Sequence, residues 1–300
     1  MRGVRSSGPL MCIASAAAFG AMGVFGKLAY GEGATVGTLL AVRFALAALL
    51  FWALLAGRGA LRALPRRDVA LGLGLGAGGY ALQAGCYFTA LERIDASLLS
   101  LLLYTFPAIV AVAAVALGRE RLDARKVAAL TLASGGLVLV VAGAGAGALD
   151  PLGAGLGLAA ALVYSAYILV SGSIAERVPT RAFSTLVCSG AAVTLTAGCA
   201  LLGDLRPADV SVAGWGWLAG LSLISTVAAV SLLFAGIARV GPTVASILST
   251  VEPVVTVLLA FLVFGEVLSA EQLLGGMLVL GGVLVLYAWP VAAGRRYATT

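Results

Sequence analysis

Ten apolar runs of about 20 residues follow one another along the chain, separated by short polar segments. They lie at roughly 9–29, 35–56, 69–91, 95–117, 126–146, 152–172, 181–202, 212–238, 243–264 and 271–289. A helix that crosses the hydrocarbon core of a bilayer needs about 20 predominantly apolar residues. Strands of a membrane β-barrel alternate apolar and polar residues, whereas these runs are apolar all round, so they predict helices. The expected fold class is an all-α polytopic membrane protein with ten transmembrane helices.

The composition agrees with a membrane protein and argues against other classes. Only 11% of the 300 residues are charged, whereas soluble domains carry about 25%. The ten runs take up most of the chain, so they leave no room for a separate soluble domain. The net charge of +6 comes from basic residues that are spread over several short loops, so we expect no nucleic-acid partner.

The basic residues predict the orientation of the chain in the membrane. Of the 19 Lys and Arg residues, Arg43 lies within a span, and only Lys27, Arg93 and Arg206 fall in the loops on one side. The other 15 lie at the two termini and on the opposite side. Because short cytoplasmic loops are enriched in Lys and Arg, both termini are predicted to be cytoplasmic, in the cell inner (plasma) membrane. The first apolar run continues to about Ala29, which favours a retained span over a cleaved signal peptide.

A gapless internal repeat joins two parts of the chain that are 146 residues apart: residues 100–140 align with residues 246–286. The register pairs Pro107 with Pro253, Glu120 with Glu266, and Gly135–Gly136 with Gly281–Gly282. Leu and Ala matches are frequent by chance in an apolar chain, so the matched Pro, Glu and Gly residues carry the argument. We therefore predict two five-helix repeats, residues 1–148 and 149–300, within one integral membrane domain.

The odd number of helices in each repeat predicts that the two halves cross the membrane in opposite directions. The loops agree, because Glu120 falls on the predicted cytoplasmic side and its counterpart Glu266 on the external side. Inverted repeats around a site near the bilayer midplane are typical of secondary transporters. We therefore expect two inverted five-helix repeats around a central cavity that opens alternately to either side.

Beyond these patterns, three segments of the chain resemble a known family. They are EPVVTVLLAFLVFGEVLSAEQLLGGMLVLGGVLVL at 252–286, its degenerate copy FPAIVAVAAVALGRERLDARKVAALTLASGGLVLV at 106–140, and RF at 43–44. The chain resembles the drug/metabolite transporter superfamily, and within it the EamA-type ten-helix exporters, such as bacterial exporters of aromatic amino acids and paraquat. The resemblance implies a ten-helix bundle with a central cavity that exports amino acids, other small metabolites or toxic cations. The chain departs from the family at Phe19 and Tyr164, where members often carry a tryptophan.

The sequence offers little that could support catalysis or cofactor binding. Without histidine it contains no Ser–His pair and no H-E-x-x-H motif. The G-x-G-x-x-G pattern at Gly74, Gly76 and Gly79 lies inside an apolar run, where small residues let membrane helices pack closely. The four cysteines fall inside spans and form no C-x-x-C pair. We predict no enzymatic activity, no cofactor and no metal site.

Two charged residues lie deep within predicted spans, Arg43 in the second and Glu252 in the ninth. A charge at the centre of a membrane helix costs about 2.5–3.5 kcal/mol on the translocon scale, and such residues usually face the bundle interior and mark pathways. Arg43 and Glu252 are therefore candidates for a charge pair or for coupling. Three roles stay open for Glu252, namely an ion pair with Arg43, proton binding, or contact with the substrate.

Polar and aromatic side chains in the middle of other spans complete the expected cavity. Tyr80, Gln83 and Tyr87 are spaced so that they share one face of the third helix. Aromatic rings in a cavity bind apolar or cationic substrates by stacking and cation–π contacts. The predicted cavity-lining set is Tyr80, Gln83, Tyr87, Tyr104, Tyr164, Tyr167, Ser246, Ser249 and Glu252. The alternatives are anchoring of the tyrosines at the membrane interface and bonds from the serines to their own helix backbone.

Pro107 and Pro253 occupy equivalent positions in the two repeats, and we assign them to architecture. Proline has no N–H to donate, so the carbonyl one turn earlier, at Leu103 or Ser249, lacks its helical partner. We predict bends or flexible points in the fourth and ninth helices. Glu252 is not duplicated, so it is a specific feature of one half.

These features predict a secondary transporter that exports small metabolites by alternating access, with amino acids, aromatic ones included, as the favoured substrates. The expected partners are the small-molecule substrate and the lipid bilayer, and we expect a monomer. Other hypotheses stay open: an exporter of multiple drugs or cationic compounds, an antiporter of the nucleotide-sugar or sugar-phosphate type, and, from another class, a non-transporting membrane subunit. Anionic substrates would need several cavity cations, and the spans offer mainly Arg43 and Lys27.

Overall fold

The computed structural model describes residues 7–55, 64–118, 123–143, 150–175, 177–240, 245 and 248–288, and every regular element within these ranges is helical. The principal helices are α1 (Ser7–Gly31), α2 (Val36–Leu55), α3 (Arg66–Leu91), α4 (Ala96–Ala116), α5 (Ala124–Gly143), α6 (Pro151–Ala175), α7 (Thr180–Leu201), α8 (Val212–Val240), α9 (Val251–Phe264) and α10 (Ala270–Ala288). Along the described residues, α1 to α8 are long and apolar enough to cross a membrane, and α9 and α10 supply two shorter apolar stretches. The prediction of an all-α membrane fold with ten apolar helices is confirmed.

The outer surface of the bundle carries large apolar side chains that a soluble protein would bury. Leu49, Val138 and Leu262 are each 66% exposed. Lipid tails are as apolar as leucine, so this exposure suits a bundle that is surrounded by hydrocarbon. Between the helices the chain also buries small residues, such as Ala47 and Ala191, alongside larger side chains such as Phe44 and Phe88. Small residues let the helix backbones approach closely where burial of large side chains brings no gain over lipid.

Helices α5 and α10 cross at glycines. A Cβ added at Gly136 would lie 2.5 Å from the carbonyl oxygen of Gly275, and one added at Gly282 would lie 2.8 Å from the carbonyl oxygen of Ala129. In the register of the internal repeat, Gly136 corresponds to Gly282 and Gly275 to Ala129. The repeat register therefore maps each of these two close contacts onto the other. Two halves that are related by a two-fold axis would show this arrangement.

The packing of whole helices follows the same relation between the halves. Helix α1 packs against α8 and α9, and its counterpart α6 packs against α3 and α4. Three further pairs each consist of a helix and its own counterpart in the other half, so interchanging the halves leaves each pair unchanged. These packed pairs are α2 with α7, α4 with α9, and α5 with α10. The two five-helix halves thus interlock, while the division of the chain at residues 148 and 149 stays a prediction.

Several helices are interrupted close to the centre of the bundle. Helix α1 is broken at Ala21 and α4 at Tyr104–Thr105, and a turn at Thr250 directly precedes α9. Helices α3 and α8 contain π-helical turns at Leu75–Tyr80 and Leu223–Ala228. π-Helical turns are frequent at functional sites, and discontinuous helices form the substrate sites of many transporters. The interruptions therefore indicate where a site would lie.

The two matched prolines lie directly after such breaks. Pro107 is the second residue of the helical segment Phe106–Ala116 in α4, and Pro253 is the third residue of α9. A proline is tolerated in the first turn of a helix because the N–H groups there have no helical acceptor. Each proline thus lies where a new helical segment begins after a break, a position at which its missing N–H costs no helical hydrogen bond.

Candidate functional site

A cavity of about 310 Å³ lies at the interrupted helices and is lined by side chains from α1, α2, α3, α4, α6, α8 and α10 and from the start of α9. Its volume is at the lower end of the range of ~300–1,000 Å³ that is usual for small-molecule sites. Of the side chains that the sequence singles out, the cavity wall contains Arg43, Tyr80, Gln83, Tyr87, Tyr104, Pro107, Tyr164, Ser249 and Glu252. Tyr167 lies behind this wall, Pro253 is buried in α9, and Ser246 falls outside the described residues.

An arc of aromatic rings lies along one side of the cavity. Four of its rings line the cavity, those of Tyr104, Phe106, Tyr164 and Tyr80, and two lie behind the wall, those of Tyr167 and Phe44. The arc runs through Tyr104, Phe106, Tyr164, Tyr167, Tyr80 and Phe44, with centroid separations between 4.8 and 6.2 Å from each ring to the next. Aromatic pairs at such distances attract each other, so the arc is a preformed surface. Its two ends adjoin the two deep charges, since Tyr104 contacts Glu252 and Phe44 lies under Arg43.

Arg43 is anchored at one end of this arc. The side chain is only 3% exposed, and its Nε donates a hydrogen bond of 2.9 Å to Thr226 Oγ1 in the π-helical turn of α8. The guanidinium carbon lies 5.0 Å from the ring centroid of Phe44 and 5.2 Å from that of Phe88. Among the described residues no carboxylate pairs with Arg43. A buried cation without a counter-ion is unfavourable, and the Arg43 side chain lines the cavity.

Glu252 occupies the other end of the arc. Its Oε2 lies 3.0 Å from the hydroxyl oxygen of Tyr104, which donates a 2.6 Å hydrogen bond to the carbonyl oxygen of Ser249. This carbonyl is the one that Pro253 cannot reach with an N–H, so the proline creates an acceptor and Tyr104 satisfies it. Arg43 and Glu252 have different partners here and form no ion pair with each other, because the α8 turn holds the arginine.

Gln83 and Tyr87 line the cavity from one face of α3, in agreement with their spacing. Gln83 is 8% exposed and Tyr87 is 3% exposed. Within the described ranges neither side chain has a hydrogen-bond partner. Buried polar groups are nearly always satisfied, so these two groups are available to a ligand.

Several contributors to the site carry little or no signal in the sequence. Phe88 and Thr226 lie among many similar residues inside apolar runs, and nothing in the sequence separates cavity-facing members from lipid-facing ones. Phe44 is marked only as the second residue of the RF pair at 43–44. Phe106 is different, because it is the repeat counterpart of Glu252, and that register could have identified it. Thr226 depends on the π-helical turn, which rotates the residues of α8 relative to a regular helix.

Polar contacts close one end of the bundle, where α1, α4 and the α9–α10 loop meet. Lys27 Nζ donates to Glu266 at 2.8 Å, and the same carboxylate accepts from the backbone N–H groups of Ala96 (3.2 Å) and Ser97 (3.0 Å) and from Ser97 Oγ (2.8 Å). Burial of the Glu266 carboxyl would raise its pKa, but the hydrogen bonds from Lys27 and Ser97 outweigh burial, and the pKa lies below its usual value. The closed end is thus held by an ionised carboxylate at the N-terminus of α4.

The cavity extends toward the opposite end of the bundle. Its wall includes Leu233 and Ile237 from the last part of α8, and Ala245, which precedes α9. The C-terminus of α8 lies beside the N-terminus of α1, since a Cβ added at Gly8 would meet Val240. The Lys27–Glu266 contacts lie near the C-terminus of α1, so the bundle is closed at the end away from this extension.

Comparison with known proteins gives a consistent result. An uncharacterized transporter of Archaeoglobus fulgidus is 29% identical over 214 residues, which are 69% of this chain and 72% of that protein. The Bacillus subtilis protein named uncharacterized transporter YwfM is 34% identical over 146 residues, or 47% of each chain. A solved crystal structure with 22% sequence identity covers 94% of this chain and 97% of its own with a TM-score of 0.66, so the two share a fold.

The sequence profile of one family covers almost the whole chain in two consecutive matches, over residues 6–142 and 151–288. The family consists of membrane transporters, in agreement with the apolar helices and with both relatives. The chain belongs to the EamA-like transporter family.

Proposed function

We propose that this membrane transporter exports small zwitterionic metabolites, namely amino acids with aromatic ones included, by alternating access across the inner (plasma) membrane. One observation carries the proposal. The cavity holds a buried cation, Arg43, and a carboxyl group, Glu252, and these adjoin opposite ends of a continuous arc of aromatic rings.

The chemistry of the wall matches the parts of an amino acid. The planar guanidinium of Arg43 has N–H donors beyond the one bound by Thr226, and such donors suit a carboxylate. Glu252 in its ionised form offers a negative partner for an ammonium group, and the rings between Arg43 and Glu252 offer stacking surfaces for an aromatic side chain. A zwitterion thereby finds a partner for each of its charges and for its apolar part.

Two other substrate classes match the wall less well. A purely cationic drug would meet Glu252 and the rings but would leave Arg43 buried without a counter-ion. A sugar phosphate would bring about two negative charges at pH 7, and Arg43 is the one Lys or Arg among the described residues of the cavity wall. The volume of about 310 Å³ also favours small substrates.

The closed end of the bundle supports alternating access. With the predicted orientation, the Lys27–Glu266 end faces outward and the cavity extends toward the cytoplasm. A cytoplasmic amino acid would enter from that side and leave after the outer contacts break. Since export needs both openings, the outer contacts would act as a gate.

Counterflow in liposomes tests the proposal. Liposomes that contain the purified protein are loaded with unlabelled phenylalanine and diluted into labelled amino acids, a labelled dicationic drug or a labelled sugar phosphate. We expect transient accumulation of aromatic amino acids above that in protein-free liposomes. Accumulation of the drug or the sugar phosphate, each tested against its own unlabelled form, without that of any amino acid would overturn the proposal.

A pair of variants on α2 connects the result to the cavity. Arg43→Gln removes the cation, so we expect phenylalanine counterflow to fall by about tenfold or more, as for a lost charge-assisted bond of ~1.5–3 kcal/mol. The matched control is Leu49→Ala on the same helix, whose side chain faces outward and is 66% exposed. Equal losses in both variants would remove Arg43 from substrate binding.

A further inference from the structure

The Tyr104 hydroxyl makes two oxygen–oxygen contacts but has a single hydrogen, so an ionised Glu252 would leave one of these contacts without a hydrogen. The hydroxyl oxygen of Tyr104 lies 2.6 Å from the carbonyl oxygen of Ser249 and 3.0 Å from Glu252 Oε2. A phenol has one hydrogen to donate, and a carbonyl oxygen can only accept. The shorter contact therefore takes the tyrosine hydrogen, and the second contact needs a hydrogen from elsewhere.

A protonated carboxyl supplies that hydrogen. A carboxylic acid has one O–H donor, and the tyrosine oxygen has lone pairs that can accept it. The three groups then form a chain in which Glu252 donates to Tyr104 and Tyr104 donates to the carbonyl of Ser249. An ionised Glu252 would instead place two acceptors 3.0 Å apart with no hydrogen between them.

The surroundings of Glu252 agree with a neutral carboxyl in this conformation. The titratable or charged side chains that share its cavity are Arg43, Tyr80, Tyr87, Tyr104 and Tyr164. Arg43 is bound to Thr226, and no Lys or Arg of the described ranges pairs with Glu252. The cavity walls from α1, α8 and α10 are apolar, and Lys27 of α1 is bound to Glu266. A desolvated carboxylate without a cationic partner is unfavourable.

We infer that Glu252 carries a proton in this conformation and exchanges it for the ammonium group of the substrate, so that export is coupled to proton entry. This rests on the proposed function, because it requires a substrate with an ammonium group. In the exchange the O–H bond of Glu252 breaks, and the proton passes to water on the cytoplasmic side. The carboxylate left behind binds the substrate ammonium, while Tyr104 keeps its bond to Ser249.

The cycle closes on the other side of the membrane. When the substrate leaves, Glu252 takes a proton from the external water and returns to the inward-facing conformation. One proton then enters for each amino acid exported. Since a zwitterion carries no net charge, each cycle moves one positive charge inward, and both a pH gradient and a membrane potential should drive export.

Two measurements on the full chain test the inference. The first is the infrared spectrum of the ligand-free protein, in which a protonated carboxyl has a carbonyl band that a carboxylate lacks. We expect this band at neutral pH in the wild type and not in Glu252→Gln. The matched control is Glu271→Gln, which makes the same chemical change in the first turn of α10, and it should keep the band. If Glu252→Gln fails to fold, Tyr104→Phe serves instead, because loss of the acceptor should shift the band.

The second measurement is proton release on addition of phenylalanine to weakly buffered protein. About one proton per bound substrate is expected for the wild type and for Glu271→Gln, and none for Glu252→Gln. Phenylalanine counterflow without proton release would overturn the inference and leave the proposed function intact. Absence of counterflow with every amino acid would overturn the proposed function, and with it the exchange, while the infrared band would still decide whether Glu252 holds a proton. A spectrum that is identical in wild type and Glu252→Gln would refute protonation.

Discussion

Arg43 is held in place without being neutralised. One hydrogen bond to Thr226 and the faces of Phe44 and Phe88 fix the guanidinium, and these contacts add no negative charge. Cation–π contacts contribute about 0.5–2 kcal/mol each. The side chain is therefore oriented in advance and still lacks a counter-ion, which is the condition under which an anionic ligand gains most from binding.

Thr226 is expected to control substrate affinity through the orientation of Arg43. Thr226→Val keeps the shape of the side chain and removes the acceptor, so Arg43 Nε loses its partner. We predict about tenfold weaker binding of phenylalanine, as for ~1.4 kcal/mol, measured by isothermal titration calorimetry. Thr185→Val on α7 is the control, because Thr185 is also fully buried but bonds the backbone of Arg181 away from the cavity. Unchanged affinity in Thr226→Val would mean that Arg43 does not need this anchor.

At the residue scale, polarity decides what a sequence reveals. Arg43, Glu252 and Gln83 could be placed in a cavity from sequence because a polar group inside an apolar span is costly unless it faces the interior. Phe88 could not be placed in this way, because a phenyl ring is as favourable against lipid as in the interior of the bundle. Tyr167 shows the opposite limit, since its polar hydroxyl suggested the cavity while its ring packs behind Tyr80.

Helices were predictable from the sequence, whereas their interruptions were only partly so. In a bilayer an apolar run must satisfy its own backbone, so length and apolarity are enough to predict a helix. Pro107 and Pro253 pointed to α4 and α9, and the chain has turns at Tyr104–Thr105 and at Thr250, two and three residues before these prolines. The π-helical turns at Leu75–Tyr80 and Leu223–Ala228 have no residue signature, because they depend on how neighbouring helices pack.

The glycine crossing of α5 and α10 makes a prediction at the level of single elements. A Cβ at Gly136 would meet the Gly275 carbonyl oxygen at 2.5 Å, and backbone on both sides cannot yield easily. We expect Gly136→Ala to destabilise the protein by ~1–3 kcal/mol, the usual range for overpacking, and to lower the midpoint of thermal unfolding in detergent.

Its neighbour Gly135 is the matched control for that experiment. A Cβ at this position would meet nothing within 4 Å, so Gly135→Ala should be neutral or stabilising by up to ~1 kcal/mol from helix propensity. If both variants lowered the midpoint equally, the crossing of α5 and α10 would not be the cause.

For the whole molecule, the contacts of Glu266 predict how stability depends on pH. The pKa of Glu266 lies below its usual value of 4.5, because the hydrogen bonds from Lys27 and Ser97 outweigh the opposing effect of burial. A carboxyl whose pKa falls on folding stabilises the protein above its unfolded pKa of about 4.3, and this stabilisation is lost as the pH falls through the lower folded value. The closed end should therefore weaken in acid.

Glu266→Gln provides the comparison. At neutral pH the thermal midpoint of wild type should exceed that of Glu266→Gln, and the difference should shrink toward zero as the pH falls below about 4. Glu92→Gln, which alters an exposed glutamate at the same end of the bundle, should match wild type at neutral pH. A difference that stays constant down to acid pH would show that the carboxylate charge does not stabilise this end.

The unequal backbones of α1 and α6 carry a consequence for the second conformation. These helices are counterparts, yet α1 is broken at Ala21 whereas α6 is continuous from Pro151 to Ala175. If the halves exchange shapes as the bundle turns outward, the break must migrate, so that α1 straightens and α6 unwinds at the matching level. The outward-facing conformation would then have the opposite asymmetry, with a continuous α1 and an interrupted α6. Amide hydrogen exchange should therefore slow around Ala21 and quicken in α6 when the protein is trapped facing outward.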